Sequence, residues 1–334
     1  MRNRSGELTH RAFHELPDIL TSGTVLIIND SRVIPARVTG KMSDGKPFEL
    51  LLLEPAAGKS PGAAWRAIGK PARKFYEGLT LSLGDQDDQL EVVFGPVTHG
   101  GSEGPLPFTV TFDRDEAVLT TWLDRHGYIP LPPYIARPKA NPAAASSDRD
   151  RYQTVYADRR GSVAAPTAGL HFTAALMERL QAHGIEIAPI TLHVGGGTFL
   201  PVKCQDPRQH VMHAERYRVP AATLAAIKAA HLEGRPILAV GTTSFRCLQA
   251  FWQEGQRTDE WCTTDIFIRP ETRDDRYQPA VVQGLITNFH QPGSTLFMLI
   301  SALLGLDEAK SLYATALSGG YRFLSYGDAC LFWL

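Results

Sequence analysis

The sequence is poor in several things that would settle its class at once. It holds four cysteines, Cys204, Cys247, Cys262 and Cys330, in 334 residues. No two of them form a Cys-x-x-Cys pair, which sets aside a disulfide scaffold and a thiol redox motif and leaves free, partly buried thiols. Long apolar runs are missing too: the longest uncharged one, Thr295 to Leu306, falls well short of the ~20 residues that span a bilayer. Met1 to His10 is polar and lacks the apolar stretch of a secretory signal, so the cytoplasm is the expected compartment. Neither sign of charge is in excess. With 34 Lys and Arg against 35 Asp and Glu the net charge is −1, so a polyanion partner has to be held by a local patch rather than by a global field. What remains is a globular mixture, 43% hydrophobic and 21% charged, too apolar for disorder and long enough for roughly two domains.

Patterning sorts the chain into two grammars. Val25-Leu26-Ile27-Ile28 closes on the turn formers Asn29, Asp30 and Ser31, the pattern of a buried strand that delivers a polar turn. From about Phe48 to Phe112, short alternating segments (Phe48 to Leu53, Leu79 to Leu83, Leu90 to Phe94, Phe108 to Phe112) are separated by Gly, Pro and Asp clusters, which predicts a small antiparallel β-barrel or sandwich. A helix over about Glu116 to His126 and a proline-rich strap, Ile129 to Pro138, lead out of it, and Lys139 to Arg151 reads as a loose surface excursion. After Tyr152 strands and helices alternate. A helix capped by Thr173 precedes a strand over Ile185 to Val194; a helix opened by Pro220 precedes a strand over Pro236 to Val240, which turns at Gly241 into a helix over about Phe245 to Trp252. Strands over Asp265 to Ile268 and Leu285 to Asn288 and helices over Ser294 to Leu304 and Asp307 to Leu317 complete the pattern. This order predicts an α/β fold with a mostly parallel sheet covered on both faces and ligands beyond the carboxyl ends of its strands. Because Val25 to Ile28 suits the later part, the expected organisation is a discontinuous large α/β domain, 1–46 and 133–334, interrupted by an inserted β-barrel domain, 47–132.

Several turns carry residues able to do chemistry. Gly161 to Phe172 has no long side chain before His171, so backbone can approach a ligand closely there. Leu192 to Phe199, with His193 and Gly195-Gly196-Gly197, is a second glycine-rich loop; its spacing is wrong for a dinucleotide phosphate loop and suits amides approaching a nucleoside or a sulfonium ligand. Gly241-Thr242-Thr243-Ser244-Phe245-Arg246 opens a helix after a strand, a place for a carboxylate or a phosphate. His210-x-x-His213-x-Glu215 lacks both the His-Glu-x-x-His arrangement and a cysteine pair, so acid-base work suits it better than metal, and no metal is expected. His290 precedes a Ser/Thr cap, and Tyr321 to Asp328 closes the chain with dense polar and aromatic groups. Lys70, Arg73 and Lys74 beside Phe75 and Tyr76, and Arg149, Arg151, Arg159 and Arg160 among Tyr152 and Tyr156, pair cations with rings as unpaired RNA requires. Taken singly, each feature also serves as a tight crossing, a cap or a solvated charge run.

Together, Asn29 to Arg37, Tyr152 to Ala157, Ala165 to Phe172, Leu192 to Phe199, Met212 to Glu215, Gly241 to Ser244, Thr264 to Ile268, Ile286 to His290, Ser294 to Leu296 and Tyr321 to Asp328 resemble, in order, the S-adenosylmethionine:tRNA ribosyltransferase-isomerase family of queuosine biosynthesis. The resemblance runs from about Phe13 to the end. It implies transfer and isomerisation of the ribosyl part of S-adenosylmethionine onto 7-aminomethyl-7-deazaguanine at the tRNA wobble position, giving epoxyqueuosine, adenine and methionine. S-adenosylmethionine is then a co-substrate and no separate cofactor is needed. Acid and base fall within the set His171, His193, His213, Glu215, Asp265 and His290, with no choice among them. Substrate contacts are expected from Arg32, Thr167, Gly169, Gly195, Gly197, Thr242, Thr243, Ser244, Arg246, Tyr321 and Asp328. Contacts to the tRNA are expected from Lys70, Arg73, Lys74, Arg151, Tyr152 and Tyr156, with the protein a monomer away from membranes.

The resemblance has a departure. Family members usually carry an additional N-terminal stretch, including a strand, before the equivalent of Gly6-Glu7-Leu8, so a sheet edge is expected to stand open here. Two competing readings stay on the table: a tRNA-binding relative without the full turnover, and a metal-dependent hydrolase built on Cys204, His210 and His213.

Overall fold

A computed structural model describes residues 1–56, 63–85, 87–97, 107–135, 142–196, 206–273 and 275–334, without the side chains of 142–146. In chain order a short helix α1 (Leu16–Ile19) leads to β1 (Val25–Asn29) and β2 (Ser31–Val33). Six strands follow, β3 (Arg37–Lys41), β4 (Pro47–Pro55), β5 (Ala64–Lys70), β6 (Thr80–Leu83), β7 (Leu90–Phe94) and β8 (Phe108–Phe112), then α2 (Glu116–His126), α3 (Pro142–Arg151) and β9 (Arg159–Ser162). The remainder alternates: α4 (Ala174–Ala182), β10 (Glu186–Leu192), β11 (Glu215–Arg218), α5 (Ala221–Leu232), β12 (Ile237–Val240), α6 (Gly241–Gln253), β13 (Cys262–Thr264), β14 (Gly284–Asn288), α7 (Thr295–Leu304), α8 (Leu306–Ser318) and β15 (Ala329–Trp333).

The large unit is an α/β sheet of seven strands in the order β13-β11-β10-β1-β12-β14-β15. Its centre is parallel, β1 pairing with β10 and β12, and β12 with β14. Every residue of β1, β12 and β14 is buried, as expected of strands covered on both faces. The flanks differ from the expected parallel pattern: β11, β13 and β15 are all antiparallel to their neighbours. The strand expected at Asp265 to Ile268 is instead Cys262–Thr264, which leaves Asp265 exposed beyond its end. The sheet edge at β15 is partly covered, since the Arg2 amide donates to the Leu331 carbonyl at 2.8 Å and the Trp333 amide to the Arg2 carbonyl at 3.0 Å.

The small unit is a closed antiparallel barrel, β3-β4-β5-β8-β7-β6. Inward positions alternate along each strand, as in β7 and β8, and Phe48, Phe75, Phe94, Phe108 and Trp65 fill the middle while Leu119, Trp122 and Leu123 of α2 close one end. Barrel structure begins at β3, before residue 47. Its first and last crossings lie side by side: the Arg37 amide donates to the Tyr128 carbonyl at 3.1 Å and the Tyr128 amide to the Arg37 carbonyl at 2.8 Å.

Beyond the carboxyl ends of the central strands, β1 leads into the barrel and on through α4, packed on one face of the sheet, to β10, whereas β12 leads into α6, packed on the other face. A crevice opens at such a switch point. Asn29 braces it, its Nδ2 donating to the Leu192 carbonyl at 2.9 Å while its Oδ1 accepts from the Leu192 amide at 3.0 Å and the Ser31 amide at 3.1 Å.

Phe75 is fully buried and stacks on Phe94 at 4.9 Å between ring centroids. Phe75→Ala leaves a ring-sized hole in a closed barrel and is expected to lower stability by about 3–5 kcal/mol. Denaturant unfolding checks this, and a loss under 1 kcal/mol would mean the barrel collapses onto the site.

Candidate active site

Turns from distant parts of the chain meet in the crevice. A cavity of ≈ 170 Å³ is lined by Ala164 to Ala168, Gly241 to Thr243, Arg246, Thr287, Asn288, His290, Tyr134, Tyr152, Leu324 and Ser325, among others. Helix α6 starts at Gly241 straight off β12, and its N-cap, Val240, offers no side-chain acceptor. The amides of its first turn are therefore left uncapped by any side chain and carry the positive end of the helix. Gly241 sits at φ +87, a left-handed conformation that costs glycine little. Thr243 Oγ1 has no hydrogen-bond partner. Ser244 does not reach the cavity wall; its Oγ donates to the Val240 carbonyl at 2.7 Å and braces the turn.

Arg246 lies one turn further along α6 and is 7% exposed. Its Nη1 donates to Glu215 Oε2 at 2.6 Å and its Nε to the Ile266 carbonyl at 3.2 Å, while Nη2 has no partner. Glu215 is equally buried, and its other oxygen, Oε1, accepts from the Gly195 amide at 3.1 Å. A charge this deep persists only when paired; Nη2 is left as a buried donor without a partner in a residue that lines the cavity.

Two histidines flank this floor. His290 is buried with Nε2 2.9 Å from Thr287 Oγ1, and its backbone amide donates to Tyr313 Oη at 3.0 Å. Burial pushes it down to about 4, so the ring is neutral near pH 7. His171 stands just behind the wall. Thr167 Oγ1 donates to Asn288 Oδ1 at 3.0 Å, and Asn288 Nδ2 then faces His171 Nε2 at 2.9 Å, which places the imidazole proton on Nδ1. Burial lowers the His171 pKa, opposed by the charge of Asp328 and assisted by that of Arg322. Across the mouth, Tyr134 of the proline-rich strap meets Ser325 Oγ at 2.6 Å.

A second cavity, ≈ 250 Å³, lies on the barrel side and shares Val194 and Glu215 with the first. His193 belongs to this one. Its ring stacks on Trp261 at 4.9 Å, and burial together with the charge of Arg216 pushes it down to about 4. A Cβ at Gly161 would lie 2.8 Å from His193 Nε2, so glycine there is what admits the imidazole.

The remaining expected residues stand elsewhere. His213 and Asp265 are exposed and line neither cavity. Arg32 is exposed, with Nη1 3.3 Å from the Ala157 carbonyl. Gly169 is buried where a Cβ would collide with the Tyr156 hydroxyl, so its smallness serves packing; Thr167 and Gly195 line the cavities on either side of Glu215. Gly197 and Cys204 lie outside the described residues. Tyr321 Oη is 2.6 Å from His10 Nδ1, and Asp328 accepts from the Arg322 amide at 2.7 Å. These two frame a turn whose Leu324, at φ 72, and Ser325 are the residues that reach the cavity. On the barrel surface Lys70 and Arg73 are exposed, and Lys74 pairs with Asp44 at 2.6 Å. Arg151 is exposed at the end of α3. Tyr152 is fully buried as a cavity wall, and Tyr156 packs edge-on to Phe172, so neither ring is presented on a surface as expected of RNA-stacking groups. His210 packs edge-on to Phe267, and among the described residues no three His, Cys, Asp or Glu gather as metal ligands. Tyr134, Thr287, Asn288 and Ser325 are cavity residues that sequence reasoning passed over; an aromatic inside a proline strap was the available signal for the first.

Comparison with known proteins adds the following. The model of a family described as "Queuosine biosynthesis protein" matches residues 1–332. A relative from Anaeromyxobacter sp. (strain Fw109-5), named S-adenosylmethionine:tRNA ribosyltransferase-isomerase, is 44% identical over 328 residues, covering 98% of this chain and 89% of that one. One of the same name from Beijerinckia indica subsp. indica is 44% identical over 335 residues, covering 99% and 88%. A crystal structure titled S-adenosylmethionine tRNA ribosyltransferase, from Thermotoga maritima, aligns over 99% of this chain and 90% of that chain at 28% identity with a TM-score of 0.48.

The geometry generates two predictions. Arg246→Ala strands a buried carboxylate and is expected to cost about 3–5 kcal/mol in unfolding free energy, whereas the double variant Glu215→Leu/Arg246→Met recovers most of it; equal losses for both would refute burial as the cause. His290, near 4 when folded and 6.5 when free, binds a proton more readily in the unfolded chain. Its burial therefore costs nothing above about pH 6.5 and erodes stability as pH falls toward 4. His290→Asn removes that slope of about 1.4 kcal/mol per pH unit, read from denaturation midpoints between pH 4.5 and 7; parallel curves for the two proteins count against it.

Proposed function

This chain belongs to the queuosine biosynthesis protein family and is a transferase-isomerase, and we propose that it moves the ribosyl moiety of S-adenosylmethionine onto 7-aminomethyl-7-deazaguanine at the wobble position of tRNA. Epoxyqueuosine in the tRNA, adenine and methionine are the products. The observation that carries this reading is the cavity on whose wall an uncapped helix start, the guanidinium-bearing Arg246 and a neutral histidine meet. The first two suit the carboxylate of the methionine portion. The short side chains of Ala164 to Ala168 and the ring of Tyr152 suit a nucleoside laid against them.

The chemistry follows from the sulfonium. Its positive charge acidifies the neighbouring 5′-methylene, so a base that is neutral or anionic at pH 7 removes that proton. The electron pair left at the 5′-carbon opens the ribose ring and expels adenine, which takes a proton from an acid; the neutral acceptor amine then adds to the vinyl sulfonium and loses a proton, the ylide carbon so formed closes on the carbonyl, and the resulting alkoxide displaces methionine to give the epoxide. His290 and Glu215 are the members of the acid-base set on the cavity wall, and His171 acts on it through Asn288 and Thr167. Thr242, Thr243 and Arg246 are assigned to the co-substrate, and Lys70, Arg73, Lys74 and Arg151 to the tRNA backbone. S-adenosylmethionine enters as co-substrate.

The test is incubation of the protein with S-adenosylmethionine and tRNA carrying the aminomethyl base, with adenine followed by chromatography. His290→Ala is expected to lower turnover by roughly 10²–10⁴-fold, while His213→Ala, altering an exposed ring outside both cavities, stays within a few-fold of wild type. Tight tRNA binding without any adenine would replace the proposal with a binding role.

A further inference from the structure

The cavity on the barrel side shares only Glu215 with the residues assigned to S-adenosylmethionine and its acid-base chemistry. It is the larger of the two, and both units of the fold build it: Leu53 and Trp65 from the barrel, Glu116 from the start of α2, His193 and Glu215 from the sheet. Trp65 is buried, and its Nε1 donates to Glu116 Oε2 at 3.1 Å, which fixes that carboxylate beside the indole.

Charge in this cavity is unevenly compensated. Glu54 is paired with Arg66 at 2.9 Å and Glu215 with Arg246, whereas among the described residues Glu116 has no cationic partner. Of the two guanidinium groups on the wall, Arg160 is paired with Asp124 at 2.6 Å, and Arg216, over the Trp261 ring at 4.9 Å, keeps its charge on the His193 side, away from any pairing with Glu116. Broad apolar walls with a carboxylate left without a cation on the barrel side suit a flat heteroaromatic ring that carries an ammonium group. Position makes the same point. Group transfer requires the donor carbon and the acceptor amine to touch, and this cavity adjoins the other through the shared residues Val194 and Glu215.

Resting on the reaction proposed above, we infer that the barrel-side cavity is the acceptor subsite: it takes the 7-deazaguanine ring against the barrel wall of Leu53 and Trp65, with the aminomethyl ammonium held by Glu116, which accepts one of its protons before the amine bonds to the donor carbon. The two neutral histidines are thereby divided, His290 on the donor side and His193 on the acceptor side.

Glu116→Gln in the full chain is the test, since Glu116 is exposed at a helix start and its amide keeps the shape. Binding is measured for tRNA with the aminomethyl base, for the same tRNA with guanine at that position, and for S-adenosylmethionine. The expected result is an affinity loss of about tenfold for the first and none for the other two. The guanine-bearing tRNA is expected to bind equally or slightly tighter, because deleting a negative charge favours contact with phosphates. Trp65→Phe, which keeps a ring but releases the carboxylate, gives a smaller loss in the same direction. Unchanged affinity for the aminomethyl tRNA overturns the subsite, and so does an equal loss for both tRNAs. A wild-type protein that releases no adenine refutes the reaction instead; adenine release with an unaltered KM of Glu116→Gln for the aminomethyl tRNA refutes the subsite alone.

Discussion

The ion pair between Glu215 and Arg246 is the constraint around which the interior is arranged. Each partner comes from a different part of the sheet, the carboxylate from the first residue of antiparallel β11 and the guanidinium from the helix that leaves central strand β12. Both are buried, and beyond their mutual contact the Gly195 amide and the Ile266 carbonyl supply additional bonds. One oxygen and one nitrogen of the pair thus tie three loops together. Glu215 of the pair borders both hollows where they adjoin, which gives a costly buried charge a positional use.

Around that border, burial rather than residue identity sorts the ionisable groups. His290 and His193 are both held neutral, but His290 is enclosed among strand-end backbone and His193 by an indole and a nearby guanidinium. His171 takes its tautomer from a side-chain chain that begins at Thr167. Burial lowers the pKa of all three, and their places differ: His290 lines the first hollow, His193 the second, and His171 stands behind the wall of the first.

Much of this was legible from the chain, for reasons that name its limits. The barrel alternation at Leu90 to Phe94 and Phe108 to Phe112 matched the strands residue for residue, as did helix Glu116 to His126, because period and capping residue are local signals. Strand β11 was missed: Glu215-Arg216-Tyr217-Arg218 reads as charged, and its inward Glu is stable only through a partner 31 residues on. Strand β5 was passed over, and β13 was placed too late since Asp265 looked like part of it. Tyr152 and Tyr156 were read as surface rings among arginines, yet a tyrosine carries no mark of burial in its own type. Tyr321 and Asp328 were chosen from a segment whose Leu324 and Ser325 reach the cavity, because the left-handed residue that turns the chain inward is a leucine and not a glycine.

The paired crossings at Arg37 and Tyr128 have a consequence for how the molecule can change over evolutionary time. The chain leaves the sheet and returns to it through neighbouring hydrogen-bonded residues, so the barrel hangs like a cassette from a two-stranded stalk. Hairpins on its far end can lengthen or shrink without altering strand register in the sheet.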